Sequence, residues 1–353
     1  MKADPRHVLI VGAGVTGLLT AVRCARAGHR VTVVDRGAVP NPESTSYDQH
    51  RAIRSLDPDD LDTSRRLAGA HWRWLELEEL LGSTIYRRVG ALTAWPAARA
   101  ETVTRVAATA NLPITVVDPA DFPHIRFPAD SVGVLEHDAG VLLADHVLWA
   151  VAQWLVRQPG VTLRPWQEVT EVQADAAKVV LADGEVLGGD LVLVAAGPWS
   201  KELVELPMVM LRQTMLYLKP PPDLASWWNN APSAGQMGTA GRGWLLPPGG
   251  GALLKVSTHT VCREVDGLTD RPDEEEAPFA DLIMAESMVT DPERYRVMDV
   301  RRCHYLVDAG TGEAHLKQIG PAVWARSASG GDGFRTAPLV ADRIVRAADG
   351  LPD

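Results

Sequence analysis

Cysteine is rare in this chain of 353 residues, and one of its three cysteines has neighbours that could make it reactive. Cys303 lies in the segment VRRCHYLV, beside Arg301, Arg302 and His304. Positive neighbours favour the thiolate, which is the form of cysteine that attacks an electrophilic carbon. A free cysteine is more commonly a small apolar residue of a core, which is what we expect of Cys24. Cys303 is therefore either an attachment point or an ordinary packing residue.

A lysine interrupts the apolar segment ALLKVSTHTV. If this segment is a strand, its period of two places Lys255, Ser257 and His259 on one face. A lysine that is followed by polar residues is typical of a solvated sheet edge. The residues alone therefore favour a surface position for Lys255.

Arginine is the natural ligand for a carboxylate, because the planar fork of its guanidinium matches the geometry of the acid. Arg51 and Arg54 lie in the polar loop NPESTSYDQHRAIRSLDPDD, where solubility is the simpler explanation. Arg335 ends the run SGGDGFR, which contains Gly331 and Gly333. This run is either a flexible connector or the positive end of a helix, which would suit an anion.

The glycine turn near the start of the chain is a more specific motif. HVLIVGAGVTGLL places Gly12, Gly14 and Gly17 at the GxGxxG spacing, between an apolar strand and a helix. The first glycine permits the tight turn, the second admits a pyrophosphate, and the third lets the helix pack closely on the sheet. The next predicted strand, VTVVD, ends at Asp35, which is suited to bind ribose hydroxyls. The motif predicts a site for the ADP half of a dinucleotide and leaves NAD and FAD unresolved.

An NAD dehydrogenase would continue after the second strand with further regular strand–helix units. The predicted elements of this chain do not follow that pattern. The predicted fold class is α/β, with a Rossmann-like domain interleaved with a smaller α+β substrate domain that contains a mixed sheet. The predicted dinucleotide-binding domain comprises residues 1–82, 140–205 and 300–353, and the substrate domain comprises 83–139 and 206–299. One helix is predicted in the second substrate segment, near Phe279–Val289, and a last helix over Pro338–Asp349.

Composition narrows the possible partners. The net charge of −10 argues against nucleic acid or an anionic membrane surface. No apolar run has the length of a membrane span, and the amphipathic helix after the first strand argues against a signal peptide. The few cysteines lack metal-ligand spacing, so we expect a reducing compartment and neither a disulfide nor a metal site. The sequence thus predicts a cytoplasmic protein, either a monomer or a homodimer.

Several segments, in order along the chain, resemble the D-amino-acid oxidase superfamily of FAD enzymes, and within it the monomeric sarcosine oxidase and N-methyltryptophan oxidase group. They include the glycine turn, HRAIR, LVLVAAGPWS, LLKVSTHT and GGDGFR. The resemblance implies FAD as the cofactor of the Rossmann-like domain, covalently linked through Cys303. The cofactor-binding residues that we predict from it are Gly12, Gly14, Val15, Thr16, Gly17, Asp35, Arg36, Arg51, Val169, Gly197, Cys303, Gly331, Gly333, Phe334 and Arg335.

The same resemblance implies that Lys255 lies beside the flavin ring rather than at the surface, and that its charge assists the reduction of O2. It also implies that Arg54 and Arg335 bind the carboxylate of the substrate. The residues that we predict for the reaction are Lys255, Arg54, Arg335, Tyr305, Trp244 and His259. Two positions depart from the family pattern, because Asp332 replaces a common histidine and Trp244 replaces a tyrosine of some relatives.

The reaction implied by the resemblance is oxidation of a small amine. A hydride equivalent would pass from the α-C–H of an amino acid or N-substituted amino acid, cyclic ones included, to flavin N5. The products would be an imine and, after transfer of the electrons to O2, hydrogen peroxide. Two alternatives remain, an FAD-dependent amine dehydrogenase that passes its electrons to a carrier and a non-catalytic dinucleotide-binding protein.

Overall fold

The structure is a computed structural model, and it describes residues 4–269, 274–328 and 330–351. Its α-helices in that part of the chain are α1 (Val15–Ala27), α2 (Leu61–Leu81), α3 (Ala100–Thr109), α4 (Ala144–Val156), α5 (Ser200–Leu203), α6 (Ala225–Asn230), α7 (Phe279–Ala285) and α8 (Gly333–Ala348). None of the helices described is both long and apolar enough to cross a membrane.

The strands of the same residues group into four sheets. In chain order they are β1 (His7–Val11), β2 (Arg30–Val34), β3 (Arg51–Ile53), β4 (Tyr86–Arg87), β5 (Ala91–Pro96), β6 (Ile114–Val117), β7 (Ser131–Glu136), β8 (Gly140–Leu142), β9 (Val161–Arg164), β10 (Val169–Gln173), β11 (Lys178–Leu181), β12 (Val186–Gly188), β13 (Leu191–Val194), β14 (Met208–Lys219), β15 (Ser233–Met237), β16 (Gly243–Leu246), β17 (Leu254–Thr258), β18 (Cys262–Glu264), β19 (Arg296–Asp308), β20 (His315–Gly320) and β21 (Val323–Ala328).

A six-stranded sheet forms the Rossmann-like core, in the order β20-β21-β13-β1-β2-β9. Its strands are parallel, except that β20 runs antiparallel to β21. The central strand β1 is covered on both faces, with Ile10 in one hydrophobic cluster and Leu9 in the other. Burial on both sides explains why β1 reads as a continuous apolar run. The predicted α/β class is confirmed.

The turn from β1 into α1 has the close packing that the glycine spacing predicts. A Cβ added to Gly17 would meet the carbonyl oxygen of Gly12 at 1.9 Å, so only glycine lets α1 lie this near to the strand. At its other end α1 stops at Gly28, which has a φ of 97° and donates its backbone N–H to the last turn. A positive φ is costly for other residues, which is why glycine ends the helix.

A nine-stranded mixed sheet forms the second part of the fold. Strand β15 is parallel to β5, whereas the other pairs are antiparallel, so the predicted mixed sheet is confirmed. The long strands β14 and β19 pair from Met208 with Asp308 to Lys219 with Arg296. Strand β19 therefore runs across residue 300, where the sequence analysis divides the two domains. That division stays a prediction.

The last helix begins earlier than predicted, because α8 starts at Gly333 and contains Pro338 in its second turn. Proline has no backbone N–H, so Pro338 cannot donate to the carbonyl of Phe334. The indole Nε1 of Trp74 donates to that carbonyl instead, at 3.2 Å. Because a residue from α2 replaces the missing hydrogen bond, the proline does not end the helix. The predicted start at Pro338 is wrong for this reason.

The second substrate segment also differs from the prediction in its helices. It contains α6 as well as α7, and α7 ends at Ala285 rather than near Val289. Trp228 on α6 is fully buried, and its ring meets that of Trp227 edge to face at 4.9 Å. This pair anchors the short helix to the core of the mixed sheet, where aromatic area is the main source of stability.

Candidate active site

One cavity of about 460 Å³ brings together the residues that the sequence analysis assigned to a site. Its walls come from the carboxyl ends of β1 and β2, from the first turn of α8 and from the face of the mixed sheet formed by β14, β16, β17 and β19. Every predicted site residue except Gly17 lines it. Gly17 packs under the turn instead, which agrees with its predicted role in helix packing.

The glycine turn has the geometry that a pyrophosphate requires. Gly12 has a φ of 103°, and a Cβ there would meet the carbonyl oxygen of Ala195 at 2.4 Å. Gly14 caps α1, and the hydroxyl of Ser46 accepts a hydrogen bond from the N–H of Val15 at 3.0 Å. The first turn of α1 thus presents backbone N–H groups and the positive helix end to the cavity, which fits an anionic ligand.

Asp35 lines the cavity at the end of β2, as predicted. Its carboxylate accepts hydrogen bonds from the N–H of Ala13 at 2.7 Å, from the N–H of Gly37 at 2.8 Å and from Asn41 Nδ2 at 3.0 Å. A carboxylate has about four acceptor positions, so it can still accept a ribose hydroxyl. These residues fit the ADP half of a dinucleotide.

Further predicted cofactor residues line the same end of the cavity. The guanidinium of Arg36 lies over the ring of Trp199, 5.0 Å from its centroid. Val169 begins β10 and is buried, and Gly197 has a φ of 58° in the turn after β13. The roles that the resemblance implies for them stay predictions.

Lys255 is fully buried, with 1% of its surface exposed, so the surface position favoured by the residues alone is wrong. Its Nζ lies 2.5 Å from Asp48 Oδ2 and donates to the carbonyl of His50 at 3.3 Å. The Nζ also lies 5.6 Å from the ring centroid of Tyr217 and 6.0 Å from that of Trp244. Burial, and after it the charge of Arg51, lowers the pKa of Lys255 well below its usual value.

Asp48 is the partner of Lys255, and the sequence analysis did not predict it. Its buried carboxylate contacts Lys255, accepts hydrogen bonds from Arg51 Nη1 and the Tyr217 hydroxyl, and accepts the N–H of Gln49 at 2.6 Å. Burial raises the pKa of Tyr217 to about 12, so this hydroxyl stays a donor. The only local signal was the spacing of three residues between Asp48 and Arg51, which is unremarkable in a polar loop.

Arg54 and Arg335 approach the cavity from different elements. Arg54 follows β3, where Glu136 fixes the chain by accepting the N–H groups of Ser55 at 2.6 Å and Leu56 at 3.0 Å. Arg335 lies in the first turn of α8 and binds Asp332 Oδ1 at 3.0 Å. Burial, followed by the charge of Arg335, lowers the pKa of Arg54, so the two guanidiniums lie within electrostatic range of each other.

Cys303 lies on β19 and faces the cavity. It pairs with Gln213 of β14, which on its other side pairs with Cys262 of β18. Side chains alternate along a strand, so Arg302 and His304 lie on the opposite face, where Arg302 donates to Glu276 at 2.8 Å. The expectation that both would act on the Cys303 thiol is therefore wrong.

The remaining predicted residues lie around this wall. The hydroxyl of Tyr305, two residues beyond Cys303, is 3.3 Å from Cys262 Sγ, and burial raises the pKa of Tyr305. Trp244 lines the cavity from β16. His259 also lines it but is exposed and follows the end of β17, so it does not continue the face of Lys255 as predicted.

Arg326 is a second residue that the sequence analysis missed. It lies on β21, is 6% exposed and lines the cavity. Its Nη2 donates to the hydroxyl of Thr336 at 2.7 Å. Burial lowers the pKa of Arg326 to about 10. A lone arginine near the end of a strand carries no sequence pattern that would reveal it.

Comparison with known proteins identifies the family. A family model described as FAD-dependent oxidoreductase, DAO, matches residues 7–347. The chain belongs to this family. The predicted membership in the D-amino-acid oxidase superfamily is confirmed, and the family resolves the choice between NAD and FAD in favour of FAD.

Relatives within the DAO family are distant. Peroxisomal sarcosine oxidase of Homo sapiens is 27% identical over 230 residues, which cover 61% of this chain and 58% of that protein. Monomeric sarcosine oxidase of Bacillus sp. (strain B-0618) is 23% identical over 274 residues, which cover 73% of this chain and 70% of that protein. A modified fructosyl peptide oxidase from Aspergillus nidulans superposes with a TM-score of 0.80 at 18% identity, covering 100% of this chain and 92% of the other. This last similarity shows a shared fold.

Proposed function

We propose that the protein is an FAD-dependent oxidase that acts on an amino acid or N-substituted amino acid and transfers the electrons to O2. One observation carries the proposal, because a single cavity joins the glycine turn to a buried lysine, a cysteine and two arginines. Bound FAD would supply the acceptor for the electron pair of the substrate's C–N unit. Two relatives are named sarcosine oxidases, which supports a substrate of the amino-acid type.

The dinucleotide end of the cavity holds the cofactor in this proposal. The first turn of α1 binds the pyrophosphate, and Asp35 binds a ribose hydroxyl. Cys303 would hold the flavin through a thioether to its 8α-methyl carbon. That bond needs the thiolate as nucleophile and the loss of one 8α hydrogen as a proton, and the electron pair left on the flavin would pass to O2. Its position on the cavity wall, two residues from Arg301 on the same strand face, supports this assignment.

The substrate carboxylate binds Arg54 and Arg335. Both line the cavity, and the hydrogen bonds of Glu136 to the chain beside Arg54 hold that arginine in place. A bidentate guanidinium would fix the orientation of the acid, which lowers the entropy cost of reaction. Removal of either arginine should weaken substrate binding more than it affects the bound cofactor.

Lys255 serves the reduction of O2 in this proposal. Asp48, 2.5 Å from Nζ, favours the protonated form of Lys255 against the effect of burial. A buried cation stabilises the anion that forms when O2 accepts an electron. Lys255→Met should slow reoxidation of the reduced flavin at least ~10²-fold, the effect of one preorganised charge. Stopped-flow mixing with O2 measures this, with the exposed Lys201→Met as a control that keeps the wild-type rate. A normal reoxidation rate combined with poor substrate binding would remove Lys255 from this role.

An amine dehydrogenase is the second candidate, and the contact of Asp48 with Lys255 favours it. A carboxylate 2.5 Å from the lysine compensates the charge that O2 reduction would use. The two candidates differ only in the electron acceptor. A screen of amino acids and N-methyl amino acids without oxygen should bleach the yellow flavin band for the correct substrate. A colourless purified protein would overturn both and leave a dinucleotide-binding protein without this chemistry.

A further inference from the structure

The cavity contains a buried arginine that neither the dinucleotide site nor the pair Arg54 and Arg335 accounts for. Arg326 is buried, with 6% of its surface exposed, and it forms no ion pair with a carboxylate of the described residues. Its Nε is buried without a hydrogen-bond partner. Guanidinium groups keep their charge in proteins, so a buried one normally has an anionic partner. Because Arg326 lines the cavity, an anion that enters the cavity would supply the missing partner.

Thr336 sets the orientation of this guanidinium. The Thr336 hydroxyl accepts from Arg326 Nη2 at 2.7 Å and donates to the carbonyl of Asp332 at 2.9 Å. These two hydrogen bonds connect Arg326 to the first turn of α8, next to Arg335. Nη2 carries two hydrogens, so with one of them bound to Thr336 the other can still form, together with a neighbouring N–H of the guanidinium, a bidentate pair with a carboxylate.

The charges around this end of the cavity leave a positive excess. Asp332 is the acid within electrostatic range of both Arg54 and Arg326, and it forms its ion pair with Arg335. Glu136 and Asp57 are further acids in range of Arg54. Within the part of the chain that the structure describes, no further acid lies in such range of Arg326, so a ligand with one carboxylate at Arg54 and Arg335 would leave Arg326 uncompensated.

We propose that Arg326 binds a second carboxylate of the substrate, so that the substrate class is an amino acid with two acidic groups. The inference rests on the proposed oxidase function and narrows it. The first carboxylate binds Arg54 and Arg335, and the second binds Arg326. Selectivity for the diacid follows from the cost of leaving a buried guanidinium unpaired when a monoacid binds.

The test compares two ligands of equal length on the yellow holoprotein, succinate and butyrate, by titration of the flavin absorbance. Succinate should bind at least ~10-fold more tightly than butyrate, since one charge-assisted hydrogen bond is worth at least that factor. Arg326→Met should abolish the preference, so that the ratio of the dissociation constants of butyrate and succinate falls to about 1. Arg326→Lys should keep part of it, because lysine retains the charge and loses the fork.

Equal dissociation constants for the two ligands in the wild type would overturn the inference without any variant. A preference that survives in Arg326→Met would also overturn it. If that variant instead loses FAD or shifts the flavin reduction potential while the preference remains, Arg326 serves the cofactor. A wild-type protein that is purified without flavin would contradict the proposed function itself, so the two failures are distinguishable.

Discussion

At the scale of single residues, the site depends on groups that are distant in sequence. Asp48 lies in a polar loop, and its partner Lys255 is 207 residues further along the chain. Nothing local distinguishes Asp48 from a solvated acid, because its burial arises only when β17 packs over the loop. Lys255 is similar, since its polar neighbours suggested a surface position, whereas the structure buries it.

Asp48→Asn should destabilise the fold, because it removes the charge opposite a buried lysine while keeping the side-chain size. Breaking a buried ion pair costs about 3–5 kcal/mol. Urea unfolding measures the change in the free energy of unfolding. Asp59→Asn is the matched control, because Asp59 pairs with Arg99 at the surface with 73% of its side chain exposed, and an exposed pair is worth at most about 1 kcal/mol. Equal losses of unfolding free energy in Asp48→Asn and Asp59→Asn would show that the buried pair of Asp48 and Lys255 does not contribute more to stability than a surface pair.

Cys303 should carry the flavin covalently. Acid precipitation is expected to leave a yellow pellet, and the Cys303 peptide should gain the mass of a flavin. Cys303→Ser should release all flavin to the supernatant, whereas Cys262→Ser, on the other side of Gln213, should keep it in the pellet. Flavin that is fully soluble after precipitation of the wild type would make Cys303 an ordinary cavity residue.

Cys24 should make the fold less stable in alkali. Burial raises the pKa of its thiol from 9.0 to about 12. The folded state holds this proton more tightly than the unfolded chain, so the contribution to stability is complete below pH 9 and is lost as the pH rises toward 12. In this range the wild type should lose up to about 1.4 kcal/mol per pH unit more than Cys24→Ala. Parallel curves of unfolding free energy against pH for the two proteins would refute the effect.

At the scale of elements, the sequence predicted what local rules determine. The strands β1 and β2 and helix α1 follow from apolar runs and glycine spacing, and the hairpin of β11 and β12 turns at Asp183 and Gly184 as predicted. The start of α8 could not be predicted, because it depends on a hydrogen bond from Trp74 across 260 residues. The sheet partners of β19 likewise depend on pairing with the distant strand β14.

Trp74→Phe should destabilise α8 by removing the donor to the Phe334 carbonyl, at a cost of about 1–3 kcal/mol for the buried group left unpaired. Pro338→Ala restores a backbone N–H that can donate to the same carbonyl. The loss from Trp74→Phe should therefore be smaller in the Pro338→Ala background. Urea unfolding of the two single variants and the double variant measures this coupling, and strictly additive losses would show that the indole donor does not replace the proline's missing bond.

At the scale of the whole molecule, segments that are far apart in the sequence line one cavity and together form the candidate site. The Rossmann-like sheet supplies the dinucleotide end, and the mixed sheet supplies Lys255 and Cys303. From the glycine motif and the family resemblance, the sequence predicted residues that line both the Rossmann-like end and the mixed-sheet wall of this cavity. It missed Arg326 of the cavity wall and Asp48, the partner of Lys255, because the burial of both depends on distant segments.

The measurement that tests the account most directly is the stoichiometry of aerobic turnover with the amino acid that bleaches the flavin. We expect one H2O2 formed and one O2 consumed for each C–N unit oxidised, with the flavin band restored when the substrate is exhausted. Bleaching that persists in air, without peroxide, would contradict the oxidase and establish the dehydrogenase in its place.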